Sequence, residues 1–219
     1  MSIAVIVAAV LGAVFGFGAD SLAARWPVHE DGSVRGLDWR SSAVVVGGAA
    51  AFALLAWRWT EPVDLLVLGI YVAALIVLLA TDLDQKLLPD LITFPLMGYA
   101  LVVLLLGINP VLAGKAQLLI ADGDLSAVLA AVAAPVLLAV TDRIFRGALG
   151  MGDLKLAVSL GLMFGVTQLF VGFLVGTVAF AVVVLALVLG RRLSLKTAVP
   201  FGPALIAAGV VAAVIELPA

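Results

Sequence analysis

The chain has 219 residues, of which 65% are apolar and 12% charged, with 22 glycines, no cysteine and a formal net charge of −2. Soluble domains are nearer half apolar and a quarter charged, so composition excludes an ordinary water-soluble fold and points to an all-α polytopic membrane protein with the lipid bilayer as its surroundings. The lack of cysteine excludes disulfides and thiolate zinc sites, the single His29 argues against an imidazole metal cluster or a serine-histidine triad, and no basic face offers itself to nucleic acid.

A spanning helix takes about 20 apolar residues, and the hydropathy pattern predicts about eight transmembrane helices. In chain order they are 3–24, 42–59, 63–81, 91–108, 125–141, 153–165, 166–189 and 200–216. The first run has no positive residues before it, so it reads as a retained helix and not as a cleaved signal. The sixth is short, and Gly161 and Gly165 blur its end. The longest polar stretch, residues 25–41, is too short to fold alone and reads as a loop between the first two spans. No internal repeat or separate soluble domain is evident.

Basic residues remain on the cytoplasmic side. With eight spans, Arg25, Arg35, Arg40, Lys86, Arg143, Arg146, Lys155, Arg191, Arg192 and Lys196 fall on one side, and Arg58 and Lys115 on the other. The bias predicts a cytoplasmic location for 25–41, 82–90, 142–152 and 190–199, with both termini outside.

Two polar interruptions stand out. In "VLLATDLDQKLLPDLITFPL", residues 77–96, Asp82, Asp84 and Asp90 separate two apolar runs; in "TDRIFRGALGMGDLKLAVSLG", residues 141–161, Gly147, Gly150 and Gly152 precede Asp153 and Lys155. Parity places Asp82 and Asp153 at the same membrane boundary. Carboxylates at that depth are costly and usually functional. Two that meet cannot both ionise readily and share a proton, and such a pair suits acid–base attack of water on an amide carbonyl without metal or histidine. A structural reading stands beside this one. Asp82 can be an interfacial or capping residue, and Asp153 can cap its helix and offset the dipole. Burial and mutual facing separate the two readings.

The same stretches resemble the prepilin peptidase family, membrane aspartyl proteases with a GxGD motif. "DLDQKLLPDLIT", Asp82 to Thr93, follows one family pattern, and "GMGDLKL", Gly150 to Leu156, follows another. "PFGPALIAAG", Pro200 to Gly209, resembles the family's C-terminal turn and helix, and "GFGADSLAARWP" more loosely the end of its first helix. The resemblance covers most of the chain and implies one membrane-embedded peptidase domain over 1–219. It implies that Asp82 and Asp153 are the catalytic pair, which removes the basic leader from type IV prepilins or pseudopilins at the cytoplasmic face of the inner membrane. Type IV pilus assembly and protein secretion are the processes this serves, and no cofactor is implied.

Supporting roles follow from the resemblance. Asp84 either bonds within its loop or is a solvated acid, Asp90 caps the fourth span, and Pro89 breaks the loop. Gly150 and Gly152 permit close backbone approach; Lys155 stabilises anions or, preferably, marks the interface. Pro200, Phe201, Gly202 and Pro203 line the cleft or form a rigid helix entrance. The sequence departs from the family pattern at Ala148 and Leu149, where glycine and methionine are expected. Members that also methylate the new amino terminus carry paired CxxC motifs between the first two helices; residues 25–41 have none, and His29, Glu30, Asp31 and Asp38 read as loop solvation. Methyltransferase activity is therefore not expected. The rival readings are a proton- or cation-coupled transport component and a GxGD peptidase acting on another precursor class, such as archaellin-like proteins.

Overall fold

The computed structural model describes residues 2–28, 34–113, 122–145, 149–190 and 201–215. The fold follows from hydrogen-bonding need. In hydrocarbon every backbone polar group requires an internal partner, which a helix supplies, and the described residues form helices with no strands. These are α1 (Ile3–Ala23), α2 (Trp39–Arg58), α3 (Pro62–Gln85), α4 (Asp90–Leu105), α5 (Gly123–Phe145), α6 (Met151–Leu189) and α7 (Gly202–Val214). Their outer faces present Val10, Val14, Leu105, Val132 and Leu137, as a multi-pass membrane protein requires.

Boundaries are set by local chemistry. Asp38 caps α2, accepting from the Arg40 N–H at 2.8 Å and the Ser41 N–H at 3.4 Å. Pro62 opens α3, a position that asks for no N–H bond. Lys86 ends α3 in the left-handed region at φ 56°. The expected end at 81 is too early: α3 continues through Asp82 and Asp84 to Gln85, because one face of the preceding turns, Leu75, Ile76, Leu78 and Ala80, is buried and carries the helix on past the first acids.

Helix α3 is the centre of the molecule. Leu68, Tyr71, Val72, Leu75 and Leu78 are completely enclosed. Tyr71 meets Phe164 of α6 edge to face at 5.6 Å between ring centroids, and its hydroxyl lies 3.0 Å from Ser159 Oγ. Between helices in lipid there is little hydrophobic drive, so association relies on close packing of small residues. Gly12 and Gly16 of α1 accordingly lie against the backbone of Gly48 and Val44 in α2, and Gly161 of α6 against Ala130 and Ala131 of α5.

Eight separate spans are not what the described residues form. Five helices are long and apolar enough to cross a membrane, whereas α4 and α7 have 16 and 13 residues. The expected sixth and seventh spans, 153–165 and 166–189, are joined without a linker in the 39-residue α6, which breaks at Gly165 with φ 68° and ψ −179°. Glycine alone takes that conformation readily. Side chains satisfy the backbone at the break: Ser126 Oγ accepts from the Val166 N–H at 2.9 Å, and Asn109 Nδ2 donates to Met163 O at 2.9 Å.

The chain reverses there. Before the break, Leu160 packs at Gly209, and Asp153 lies towards the Gly202 end of α7. After it, Gln168 Nε2 donates to Ala212 O at 3.1 Å and Ile215 O at 2.6 Å, Gly172 lies against Ala208 and Ala212, and Gly176 against Ala207 and Ala208. The first half thus runs with α7 and the second half against it.

The packing predicts where side chains can be added. At Gly48 a Cβ would collide with the Gly12 carbonyl, whereas at Gly69 it would meet open space. Gly48→Leu is expected to destabilise the detergent-solubilised protein by about 1–3 kcal/mol, while Gly69→Ala stays within roughly 0.5 kcal/mol of native; thermal unfolding of the two variants side by side checks this.

Candidate active site

The two polar stretches converge. Asp82 occupies the last turn of α3 and Asp153 the first turn of α6, and both are buried, at 4% and 7% exposure. They are near enough for the charge of Asp153 to act on Asp82. Three further contacts hold the segments together. Gly152 sits against Leu88, where a Cβ would come within 2.7 Å of the leucine Cβ. Lys155 Nζ reaches Asp90 Oδ1 at 2.5 Å and rests 4.7 Å from the Phe94 ring centroid. Pro89 is the N-cap residue of α4, so the turn from α3 into α4 is wedged against the start of α6.

Each aspartate keeps one oxygen unspent. Asp153 Oδ2 accepts from the Gly150 N–H at 2.9 Å, which is the capping bond that a structural role would predict. Its Oδ1, however, is buried and finds no donor among the described residues, and the same is true of Asp82 Oδ2. Buried oxygens are rarely left so. Capping therefore accounts for one of the four carboxylate oxygens and not for the pair.

Helix α7 closes the site. Gly202 lies so near Asp82 that a Cβ there would overlap the carboxylate, so the positive end of the α7 dipole faces a negative group. Phe201 packs on Phe173 at 6.3 Å, and Pro203 occupies the first turn, where its missing N–H is harmless. Pro200 lies outside the described residues, as do Arg146, Ala148, His29, Glu30, Asp31, Lys115, Arg191, Arg192 and Lys196.

Other expectations require correction. Asp84 is not a solvated loop acid: it sits in α3 with its side chain 1% exposed, and Arg35 Nε and Arg40 Nη1 reach its Oδ1 at 2.6 and 3.4 Å. Its angular distance from Asp82 explains this, since two residues turn a helix by about 200°, sending the two side chains to opposite faces. Asp38 is no mere solvating group either, because it caps α2 and receives Arg35 Nη1 at 2.6 Å. Asp90 makes no side-chain capping bond to α4; it favours the first turn through the helix dipole and pairs with Lys155.

Two residues were not singled out from sequence. Asp20, buried in α1, accepts from Arg35 Nη2. A lone acid inside an apolar run was the available signal. Arg35 carries no such signal, because its partners come from three separated segments. Burial opposes charge on its guanidinium, but the hydrogen bond to Asp20 and the charges of Asp20, Asp38 and Asp84 outweigh that, so its pKa is raised.

The type IV leader peptidase family matches residues 69–190, more than half of the chain, and these include both aspartates. A prepilin leader peptidase/N-methyltransferase of Bacillus subtilis is 29% identical over 164 residues, covering 75% of this chain and 61% of the relative. A protein of the same name from Pseudomonas putida is 33% identical over 174 residues, covering 77% of this chain and 56% of the relative. The chain thus spans less than two thirds of the length of either. No solved structure matches.

The Lys155–Asp90 contact is partly exposed, with the aspartate side chain 60% accessible. Such pairs contribute about 0–1 kcal/mol, so Asp90→Asn is expected to shift the unfolding free energy by no more than about that, as measured by thermal denaturation in detergent.

Proposed function

Because the chain belongs to the type IV leader peptidase family, we propose that it is a membrane aspartyl endopeptidase that removes the basic leader from type IV prepilins or pseudopilins. The observation that carries this reading is the burial of Asp82 and Asp153 within reach of each other's charge, each with one buried oxygen lacking a donor among the described residues. Only one of two close carboxylates ionises readily. In the proposed cycle the ionised one takes a proton from water as the water oxygen attacks the scissile carbonyl carbon. The protonated one gives its proton to the carbonyl oxygen, forming a tetrahedral diol. Collapse of the diol breaks the C–N bond, and a proton passes back through the pair to the departing amine.

The Gly150 N–H holds one oxygen of Asp153 and orients the other. The N-terminus of α7 packs behind Asp82. Asp90, Lys155 and Pro89 keep the α3–α4 turn against α6, a positioning role at the rim, and Phe201 and Pro203 shape the start of α7. These residues are one membrane-embedded domain in this reading.

The two halves of α6 are proposed as separate crossings, giving eight, with α4 and α7 as short ones. Parity then locates the aspartates at the cytoplasmic face of the inner membrane, where the bias of basic residues supports it. A precursor whose basic leader stays in the cytoplasm and whose apolar stem enters the bilayer would present its scissile bond at that depth. Of the two activities in the relatives' names, we assign peptidase activity alone, since the segment between α1 and α2 has no cysteine. Family membership does not favour proton or cation transport, the other common use of intramembrane acids.

Gel-shift assay of prepilin processing in membranes tests the reading. Asp82→Asn and Asp153→Asn, at native expression and insertion, are each expected to abolish cleavage; cleavage retained by either variant would remove that residue from the chemistry. A second prediction concerns the fit of α7. Gly202→Val places a side chain on the Asp82 carboxylate and is expected to lower kcat roughly 10- to 100-fold, whereas Gly98→Ala, which meets open space, leaves the rate at its native value in the same assay.

A further inference from the structure

The last turn of α3 is an unfavourable place for a carboxylate. A helix C-terminus carries negative partial charge and repels anions, yet this turn holds both Asp82 and Asp84 and contains no basic residue. The last carbonyls of a helix also lack intrahelical partners and tend to fray. A catalytic group in such a turn needs external support.

That support comes from the segment between α1 and α2. Arg35 Nε lies 2.6 Å from Asp84 Oδ1, and Arg40 Nη1 lies 3.4 Å from the same atom. One residue on, Gln85 Nε2 donates to Pro27 O at 2.6 Å. Arg35 is itself held in place, by Asp20 of α1, by Asp38 at 2.6 Å and by Ser41 Oγ at 3.3 Å. With a side chain only 11% exposed, it is a fixed cation and not a mobile surface group. Lys86 at the C-cap supplies one positive charge to this end of α3, and Arg35 and Arg40 add two more from outside, on the face opposite Asp82.

We propose that Arg35 is a positioning residue for the catalytic pair: through Asp84 it fixes the final turn of α3, and so holds Asp82 against Asp153. Arg35 touches neither substrate nor the reacting oxygens, and its effect passes through Asp84. The inference rests on the peptidase reading for its kinetic consequence, but its mechanical part, that the α3 end is ordered by Arg35, stands separately.

The test combines kinetics with hydrogen–deuterium exchange on the full chain in nanodiscs. With the prepilin cleaved by native enzyme as substrate, Arg35→Ala and Asp84→Asn are expected to lower kcat roughly 10- to 100-fold, as misplacement of a catalytic group does, with KM near its native value. Backbone amides of 83–88 should exchange faster in both variants, and Arg35→Lys should recover part of the rate and of the protection. Asp20→Asn removes one of the groups that hold Arg35 and should lower kcat and the protection of 83–88 in the same direction, whereas Gly69→Ala, which meets open space, should leave both at their native values.

Native kcat and native exchange in Arg35→Ala would overturn the proposal. So would faster exchange spread over all the helices of Arg35→Ala and not centred on 83–88, which would mark Arg35 as general scaffolding. Were the native chain to cleave no prepilin, the peptidase reading would fail, and unchanged exchange at 83–88 in Arg35→Ala would overturn the positioning role independently.

Discussion

Burying one carboxylate among membrane helices costs free energy, and burying a second beside it adds repulsion to desolvation. Asp82 and Asp153 accept both costs, and much of the surrounding architecture compensates for them. The first turn of α6 gives Asp153 the Gly150 N–H. The start of α7 turns its positive end to Asp82, at a contact where nothing larger than glycine fits. Neither helix end saturates its aspartate, and each carboxylate keeps an oxygen without a donor among the described residues. A purely structural pair would be expected to satisfy all four oxygens, because unsatisfied buried acceptors weaken a fold.

The remaining helices make this meeting possible. Asp82 and Asp153 are remote in sequence, and α3 must end where α6 begins. Tyr71 meets Phe164 and Ser159 further along the same two helices. The break at Gly165 then returns the chain along α7, with Gln168 tying it to Ala212 and Ile215. A straight helix of this length would extend for about 58 Å, roughly twice the hydrocarbon core. Reversal keeps α6 within membrane dimensions and lets α7 contact both of its halves.

Much of this was legible in the sequence, for physical reasons. Hydropathy locates apolar helices because lipid enforces composition, and every observed helix overlaps an expected span. The acidic interruptions could be found because charge is rare at such positions. What could not be read was the tertiary partner. Asp84 looks like a loop acid until α3 is seen to continue through it, and Arg35 looks like one more cytoplasmic cation until Asp20, Asp38 and Asp84 are seen around it. Gly165 was visible as a weak point, but glycine marks only permission to bend; at the reversal Ser126 accepts from the freed Val166 N–H and Asn109 donates to the freed Met163 carbonyl. Asp38, followed three residues later by Ser41, did carry a local helix-start signal that a reading based on loop polarity passed over.

The spacing of the first acidic stretch has a geometric logic that links these observations. Acids at i and i+2 in a helix diverge by about 200°, so Asp82 and Asp84 cannot serve one site. One faces α6 and α7, where oxygens are left without donors; the other faces α1 and α2, where arginines meet it. An i, i+3 or i, i+4 spacing would place both on one face, crowding a third carboxylate into the pair and leaving α3 without an anion to meet Arg35 and Arg40. The two-residue spacing separates the buried Asp82, which keeps an oxygen without a donor among the described residues, from the arginine-held Asp84 within a single helical turn, and it ties the loop before α2 to the helix end that carries Asp82.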